Sequence, residues 1–133
     1  MHNLLRQTAW AFGLILLFVG LIGFIAPGVH GPSGAYIGFA PDTLRNLFYI
    51  AIGAVGVFTV FEDLPFTEAY LLVIGVLFAA IAFDGFVWNG TLFNILPFYP
   101  LDHYFHMFIG SFALVVSLWE MEQHKPKKRV WRK

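Results

Sequence analysis

The side chains with the richest chemistry in this sequence lie between Asp102 and His106. Asp102 has the position expected of a helix N-cap, where its carboxylate accepts N–H groups of the first turn. One turn later, His106 shares a helix face with Gly110, so its imidazole is predicted to point toward a neighbouring helix. Such a histidine forms an interhelical hydrogen bond, serves a proton relay or quinone, or binds a metal or pigment. We favour the hydrogen bond, because most polar side chains of this kind bond across helices.

Tyr49 and Asp84 join His106 as candidate residues for binding a quinone, lipid or pigment. Tyr49 lies in the place equivalent to His106 in the first half of the chain, which argues against a haem held by two histidines. A carboxylate inside a membrane is costly, so Asp84 suggests function by default. It follows Thr67 by 17 residues, which is about 25 Å along the helix. That distance puts Asp84 close to the outer membrane interface, so a solvated helix end is the favoured interpretation. The alternative is a relay through Asp84, His103 and His106.

Asp42 and Arg45 repeat part of this pattern earlier in the chain. Asp42 is expected to cap the second helix, with Pro41 fixing the approach of the chain. Arg45 is expected to pair with an acid on the same side or to reach a lipid phosphate. We therefore assign Asp42, Asp102 and His103 to helix capping and the connecting loops.

Composition and motifs argue against catalysis. Of the 133 residues, 59% are hydrophobic and 12% are charged, and the chain has no cysteine. Without cysteine, there are no disulfides, thiolate metal sites or cysteine nucleophiles. The sequence also lacks a phosphate-binding loop, a His-Glu-x-x-His motif and a nucleophile elbow. We expect no catalysis, no metal site and no obligatory cofactor.

Four apolar stretches must position these side chains. They cover residues 8–26, 44–61, 67–88 and 104–121. Each is near the roughly 20 residues that a helix needs to cross a bilayer. The sequence therefore predicts an all-α integral membrane protein, a four-helix bundle built from two tandem helical hairpins. It forms a single domain, 1–133, in which 122–133 is a basic tail.

The positions of lysine and arginine predict the orientation. Cytoplasmic flanks are enriched in these residues, and seven of the eight lie near the two termini. Both termini are therefore expected in the cytoplasm, with the connections 27–43 and 89–103 on the other side. The tail charges suit anionic lipids, at about 1 kcal/mol each, and we expect no nucleic-acid partner. The residues predicted to contact lipid or a partner are Trp10, Trp88, Trp119, Lys125, Lys127, Lys128, Arg129, Arg132 and Lys133.

The second half of the chain repeats the first at an offset of 57 residues. The matched pairs are Leu14 with Leu71, Val19 with Val76, Gly28 with Gly85, Phe48 with Phe105, and Gly53 with Gly110. Each unit holds two spans, so the repeats would share one orientation about an axis along the membrane normal. Small residues also recur along one face of each helix, which predicts close helix packing within the bundle or against a further copy.

Three segments of the chain carry a family resemblance. Residues 17–27 (LFVGLIGFIAP), 38–53 (GFAPDTLRNLFYIAIG) and 96–110 (LPFYPLDHYFHMFIG) resemble a bacterial family of four-helix membrane proteins, domain of unknown function 4383. The family pattern opens its second helix with Asn-x-x-His-x-x-x-Gly and its fourth with Asp-x-x-x-His. Asn46 and Gly53 match the first motif with Tyr49 in place of the histidine, and Asp102 and His106 match the second. The resemblance implies a bacterial inner-membrane protein and carries no established activity.

The sequence as a whole favours a structural or accessory subunit of a larger membrane complex or of a homo-oligomer. The alternative is a carrier, redox or proton-handling protein that binds a quinone, lipid or pigment through His106. A pore is a weaker third interpretation, because few polar residues lie deep in the predicted helices.

Overall fold

The computed structural model describes residues 2–25, 29–30, 36–37, 43–88, 91–92, 96–97 and 100–124. Within these ranges the chain forms four α-helices, α1 (His2–Ile25), α2 (Thr43–Phe58), α3 (Leu64–Trp88) and α4 (Pro100–His124). A 3₁₀ turn, Thr59–Phe61, follows α2 and leads toward α3. The predicted all-α, four-helix membrane fold is confirmed.

Two short antiparallel strand pairs lie in the connections. β1 (Val29–His30) pairs with β2 (Tyr36–Ile37), and β3 (Thr91–Leu92) pairs with β4 (Leu96–Pro97). Both pairs connect the first helix of a hairpin to its second, so they mark one end of the bundle, which we call the loop end. The terminus end holds the start of α1, the end of α4 and the turn between α2 and α3.

Three of the described helices are long and apolar enough to cross a membrane. Their apolar runs are Leu4–Ile25, Leu64–Trp88 and Leu101–Gln123. The remaining helix, α2, is apolar but has only 16 residues, which is about 24 Å of helix. The 3₁₀ turn adds three residues directly after Phe58. The limits of the individual membrane spans stay a prediction.

Within each hairpin, glycines bring the two backbones together. A methyl group on Gly13 would lie 2.6 Å from the backbone nitrogen of Val57, and one on Gly53 would lie 2.7 Å from the carbonyl oxygen of Gly13. In the second hairpin a methyl group on Gly110 would lie 2.6 Å from the backbone nitrogen of Ala79. No side chain fits at these contacts, so the predicted small-residue packing is confirmed, and it operates inside the hairpins.

The structure contains the internal repeat, but the first helices and the second helices of the two hairpins are related by different offsets. The offset of 57 relates α2 to α4, whereas α1 maps onto α3 at 62, as from Gly13 to Gly75. At this offset every buried position of α1 falls on a buried position of α3. The positions are Leu5, Thr8, Ala9, Phe12, Gly13, Leu16, Val19, Gly20 and Gly23 on α1, and Thr67, Tyr70, Leu71, Ile74, Gly75, Phe78, Ile81, Ala82 and Gly85 on α3.

The predicted matching of the first helices is therefore wrong. Leu14 is 41% exposed whereas Leu71 is fully buried, and Val19 is buried whereas Val76 is exposed. Gly85 corresponds to Gly23 instead of Gly28. The physical reason is that the connection from Ile25 to Thr43 is longer than the connection from Trp88 to Pro100. The extra residues shift the first helix of one repeat against the other.

Larger side chains fill the space between the two hairpins. The ring of Phe12 on α1 meets Phe112 on α4 edge-on, with centroids 5.7 Å apart. The hydroxyl of Tyr70 on α3 donates a 3.1 Å hydrogen bond to the carbonyl oxygen of Ile52 on α2. The bundle thus combines two tightly packed hairpins with an interface made of side chains.

Candidate functional site

A buried ion pair joins the hairpins at the loop end. Arg45 lies in the first turn of α2 and Asp102 in the first turn of α4, and Arg45 Nη1 donates to Asp102 Oδ2 at 2.6 Å. Their side chains are 0% and 3% exposed. Arg45 therefore pairs with an acid, which was the first of the two outcomes expected for it. A charge-assisted bond of this length between buried groups is strong, because little water competes for either partner.

The predicted N-cap role of Asp102 is wrong. Helix α4 begins at Pro100, so Asp102 lies inside the first turn, and its carboxylate binds Arg45. An acid in a first turn still benefits from the positive end of the helix dipole. His103 was also assigned to capping and the loop, and it too lies within α4 as a buried side chain.

A second polar pair lies one helical turn deeper. The hydroxyl of Tyr49 and Nε2 of His106 share a hydrogen bond of 2.6 Å, and both residues are fully buried. The rings of Phe78 and Phe105 surround them, the former 5.0 Å from the imidazole and the latter 6.0 Å from it. The favoured interpretation of His106, an interhelical hydrogen bond, is confirmed, and its partner is the residue that replaces it in the first repeat.

Both pairs lie on the axis that relates the repeats. Arg45 and Asp102 are 57 residues apart, as are Tyr49 and His106, and this is the offset between α2 and α4. In a twofold arrangement, a residue that contacts its own equivalent lies on the axis. The loop end of the bundle therefore has two polar layers on the pseudo-twofold axis.

The residues that follow Arg45 and Asp102 in the chain pack against the other helix of their own hairpin. Asn46 and His103 are equivalent at the same offset, and both are buried. A methyl group on Gly23 would overlap the side chain of Asn46, and one on Gly85 would overlap the imidazole of His103. The two glycines are equivalent as well, so each polar side chain occupies the space that a missing Cβ leaves. The ring of Phe86 also contacts His103.

Asp84 does not join the axial pairs. It lies near the loop end of α3 and is half-buried, with Oδ2 enclosed and without a hydrogen-bond partner among the described residues. Asp84 thus lies near a helix end, as predicted, and is partly exposed there. No described hydrogen bond or ion pair connects it to His103 or His106, so the structure does not assemble the relay that was the alternative.

The terminus end also holds buried and half-buried polar groups, of which Glu120 was not predicted from the sequence. Glu120 is 1% exposed and Ser117 is fully buried, and the Ser117 hydroxyl approaches the carbonyl oxygen of Glu68 at 3.4 Å. Arg6 donates to the carbonyl oxygen of Glu62 at 2.8 Å. The burial of Glu120 could have been predicted, because it continues the helical spacing of the small residues on the packed face of α4.

The remaining predicted residues fall into two groups. Trp10, Trp88 and Trp119 are exposed on the bundle surface, and their contacts with lipid or a partner stay a prediction. Asp42 and the basic residues of the tail, Lys125, Lys127, Lys128, Arg129, Arg132 and Lys133, lie outside the described residues. Across the part of the chain that the structure describes, no group of three or more His, Cys, Asp or Glu side chains is arranged to hold a metal ion.

Comparison with known proteins supports the resemblance seen in the sequence. The family model described as "Domain of unknown function (DUF4383)" matches residues 6–119, which include most of α1 and α4, all of α2 and α3, and both axial pairs. No curated protein and no solved structure matches the chain. On the extent of the family match, this chain belongs to the DUF4383 family.

Proposed function

We propose that this protein is a non-catalytic accessory subunit of a larger membrane assembly, built of other subunits or of copies of itself. The observation that carries the proposal is the direction in which its polar groups face. The axial side chains bind one another inside the bundle, whereas the outward surfaces carry large apolar side chains such as Phe18, Phe83 and Phe108. Such a molecule interacts laterally, through its outward helix faces.

The outward face of α4 suits a partner helix. Met107, Phe108, Phe112 and Val115 line a shallow apolar groove, and exposed Ser111 lies in it. A small residue among aromatic rings lets another backbone approach closely, and close approach drives helix association in lipid. The glycine faces are not available for this purpose, because they pack inside the bundle.

The proposed setting is a bacterial inner membrane with both termini in the cytoplasm. The concentration of basic residues near the termini supports this orientation, because lysine and arginine are retained on the cytoplasmic side. The tail would then contact anionic lipid head groups. The proposed partners are membrane subunits and lipids, with no nucleic acid.

The assembly can be tested by extracting the tagged protein directly into polymer-bounded native membrane discs and measuring particle mass. We expect a species that contains the protein and its partner, or several copies, in fixed stoichiometry. Ser111→Trp should fill the groove and reduce the assembly, whereas Val76→Trp, on the exposed face of α3, should not. A single-copy particle without partner would contradict the proposal.

A second candidate function follows from the polar layers at the loop end. Ionisable groups buried at membrane depth are candidates for proton handling or ligand binding, and Tyr49, His106, Arg45 and Asp102 form such a set. A quinone or pigment that reached His106 Nε2 would have to displace the Tyr49 hydroxyl. This candidate predicts a bound quinone or chromophore in the extracted protein, together with a phenotype for His106→Ala. An extract without either compound and an unchanged phenotype would reject it.

A further inference from the structure

The two axial pairs combine unlike side chains at positions that the repeat makes equivalent. A true twofold axis would set two arginines, or two aspartates, against each other in the outer layer. The chain instead has Arg45 opposite Asp102 and Tyr49 opposite His106. The first pair joins a cation with an anion, and the second joins a hydroxyl with an imidazole nitrogen. In the outer layer the repeats therefore differ at a position where equivalence would set like charges against each other.

We propose that these pairs form a complementary lock, by which the first hairpin (α1 and α2) recognises the second (α3 and α4). Arg45 and Tyr49 are the polar side chains that the first hairpin contributes to the lock, and Asp102 and His106 are those that the second hairpin contributes. The lock goes beyond the proposed function, since it operates whether or not a partner subunit contacts the outward faces.

The contacts that hold each hairpin together differ from the contacts of the lock. Within a hairpin, contacts such as Gly53 with Leu17 and Gly110 with Ala79 join backbone to backbone. Across the axis, α2 and α4 are connected at the loop end by the long side chain of Arg45 and by the Tyr49–His106 pair. Loss of the side-chain contacts therefore separates the loop ends while each hairpin keeps its own packing.

The lock also selects against like-with-like pairing. If the first hairpin met the same face of a second copy about a twofold axis, Arg45 would face Arg45 in a site that is 0% exposed. Two buried like charges without a counter-ion repel strongly at low dielectric constant. Homo-oligomers of this protein must therefore form through outward faces such as the groove on α4, and not through the axial face.

The test uses the full chain, which has no native cysteine. Spin labels are attached to introduced cysteine pairs at exposed positions, and distances are measured by electron spin resonance. Leu47 and Tyr104 report on the loop end across the axis, Phe58 and Val115 report on the terminus end, and Leu21 with Leu47 reports within the first hairpin. Leu47 and Tyr104 are repeat equivalents, as are Phe58 and Val115, so the two cross-axis pairs are matched.

Each label pair is combined with Arg45→Asp, with Asp102→Arg, and with both substitutions together. The single variants place like charges on the axis, and the double variant restores opposite charges with exchanged positions. We expect the single variants to lengthen and broaden the loop-end distance, with the terminus-end and within-hairpin distances unchanged. The double variant should recover most of the original distribution, although an arginine in the first turn of α4 opposes the helix dipole.

Three results would overturn the lock. The first is an unchanged loop-end distance in the single variants, and the second is an equal change in all three distances. The third is a double variant that recovers no more than the single variants do. If both single variants fail to fold, the double variant decides alone: a folded protein with the original distances supports the lock, and an unfolded one rejects it.

Discussion

Tyr49 and His106 allow a quantitative test of how much an axial pair contributes to stability. Their 2.6 Å bond lies between fully buried partners, so water does not replace it when one partner is removed. Interhelical hydrogen bonds in membrane proteins contribute on average about 0.6 kcal/mol and at most about 1.7 kcal/mol in double-mutant cycles. Because this bond is short and enclosed by aromatic rings, we expect a coupling energy near the upper value, about 1 to 2 kcal/mol.

The assay is a double-mutant cycle of Tyr49→Phe and His106→Leu, with the free energy of unfolding measured by denaturant titration in mixed micelles or by steric trapping. Tyr104→Phe is the matched control, since Tyr104 lies near the same end of α4 as His106 but is 59% exposed. The control should change the free energy of unfolding by less than about 0.5 kcal/mol. A coupling energy indistinguishable from zero, or a control as costly as Tyr49→Phe, would refute the reasoning from burial and distance.

Three further predictions concern the hairpins and the orientation. Gly53→Ala and Gly110→Ala each place a methyl group 2.6 Å from a backbone nitrogen of the neighbouring helix. Each should lower the free energy of unfolding by about 1 to 3 kcal/mol in the denaturant titration. The control Ala54→Val, on the exposed face of α2, should lower it far less. Thr67→Val removes a buried hydroxyl that approaches the carbonyl oxygens of Thr59 at 3.3 Å and Asp63 at 3.1 Å, so about 1 kcal/mol should be lost, and equal stability of the variant would contradict this. Reporter fusions should place both termini in the cytoplasm, and an active periplasmic reporter on the C-terminus would reverse the proposed orientation.

The sequence predicted the helices and their contact faces because both depend on simple periodicity. Apolar stretches separated by proline, glycine and charge gave the four helices, and small residues at helical spacing marked the faces that pack. The face of His106 followed from its spacing to Gly110, and both residues are buried. These inferences needed only the local chain, which is why they agree with the structure.

The partners of the polar residues needed information from across the bundle. Arg45 had several acids within its predicted reach, and the choice of Asp102 depends on α2 and α4 meeting at the axis. The offset of 57 contained a clue, since it relates Arg45 to Asp102 as well as Tyr49 to His106. It was not decisive, because contact between repeat equivalents occurs only on the axis, and the axis cannot be located from an offset alone.

The polar layers end where the axis continues toward the middle of the bundle. Three residues beyond Tyr49 and His106 lie Ile52 and Ile109, which are again equivalent at an offset of 57. Ile109 is buried, and Ile52 packs against the core. The next layer of repeat equivalents on α2 and α4 is therefore apolar, and isoleucine side chains at the axis make an aqueous path unfavourable there. Since each axial polar side chain at the loop end is paired with its repeat equivalent and an apolar layer follows, this part of the bundle favours a joint between hairpins over a pathway through them.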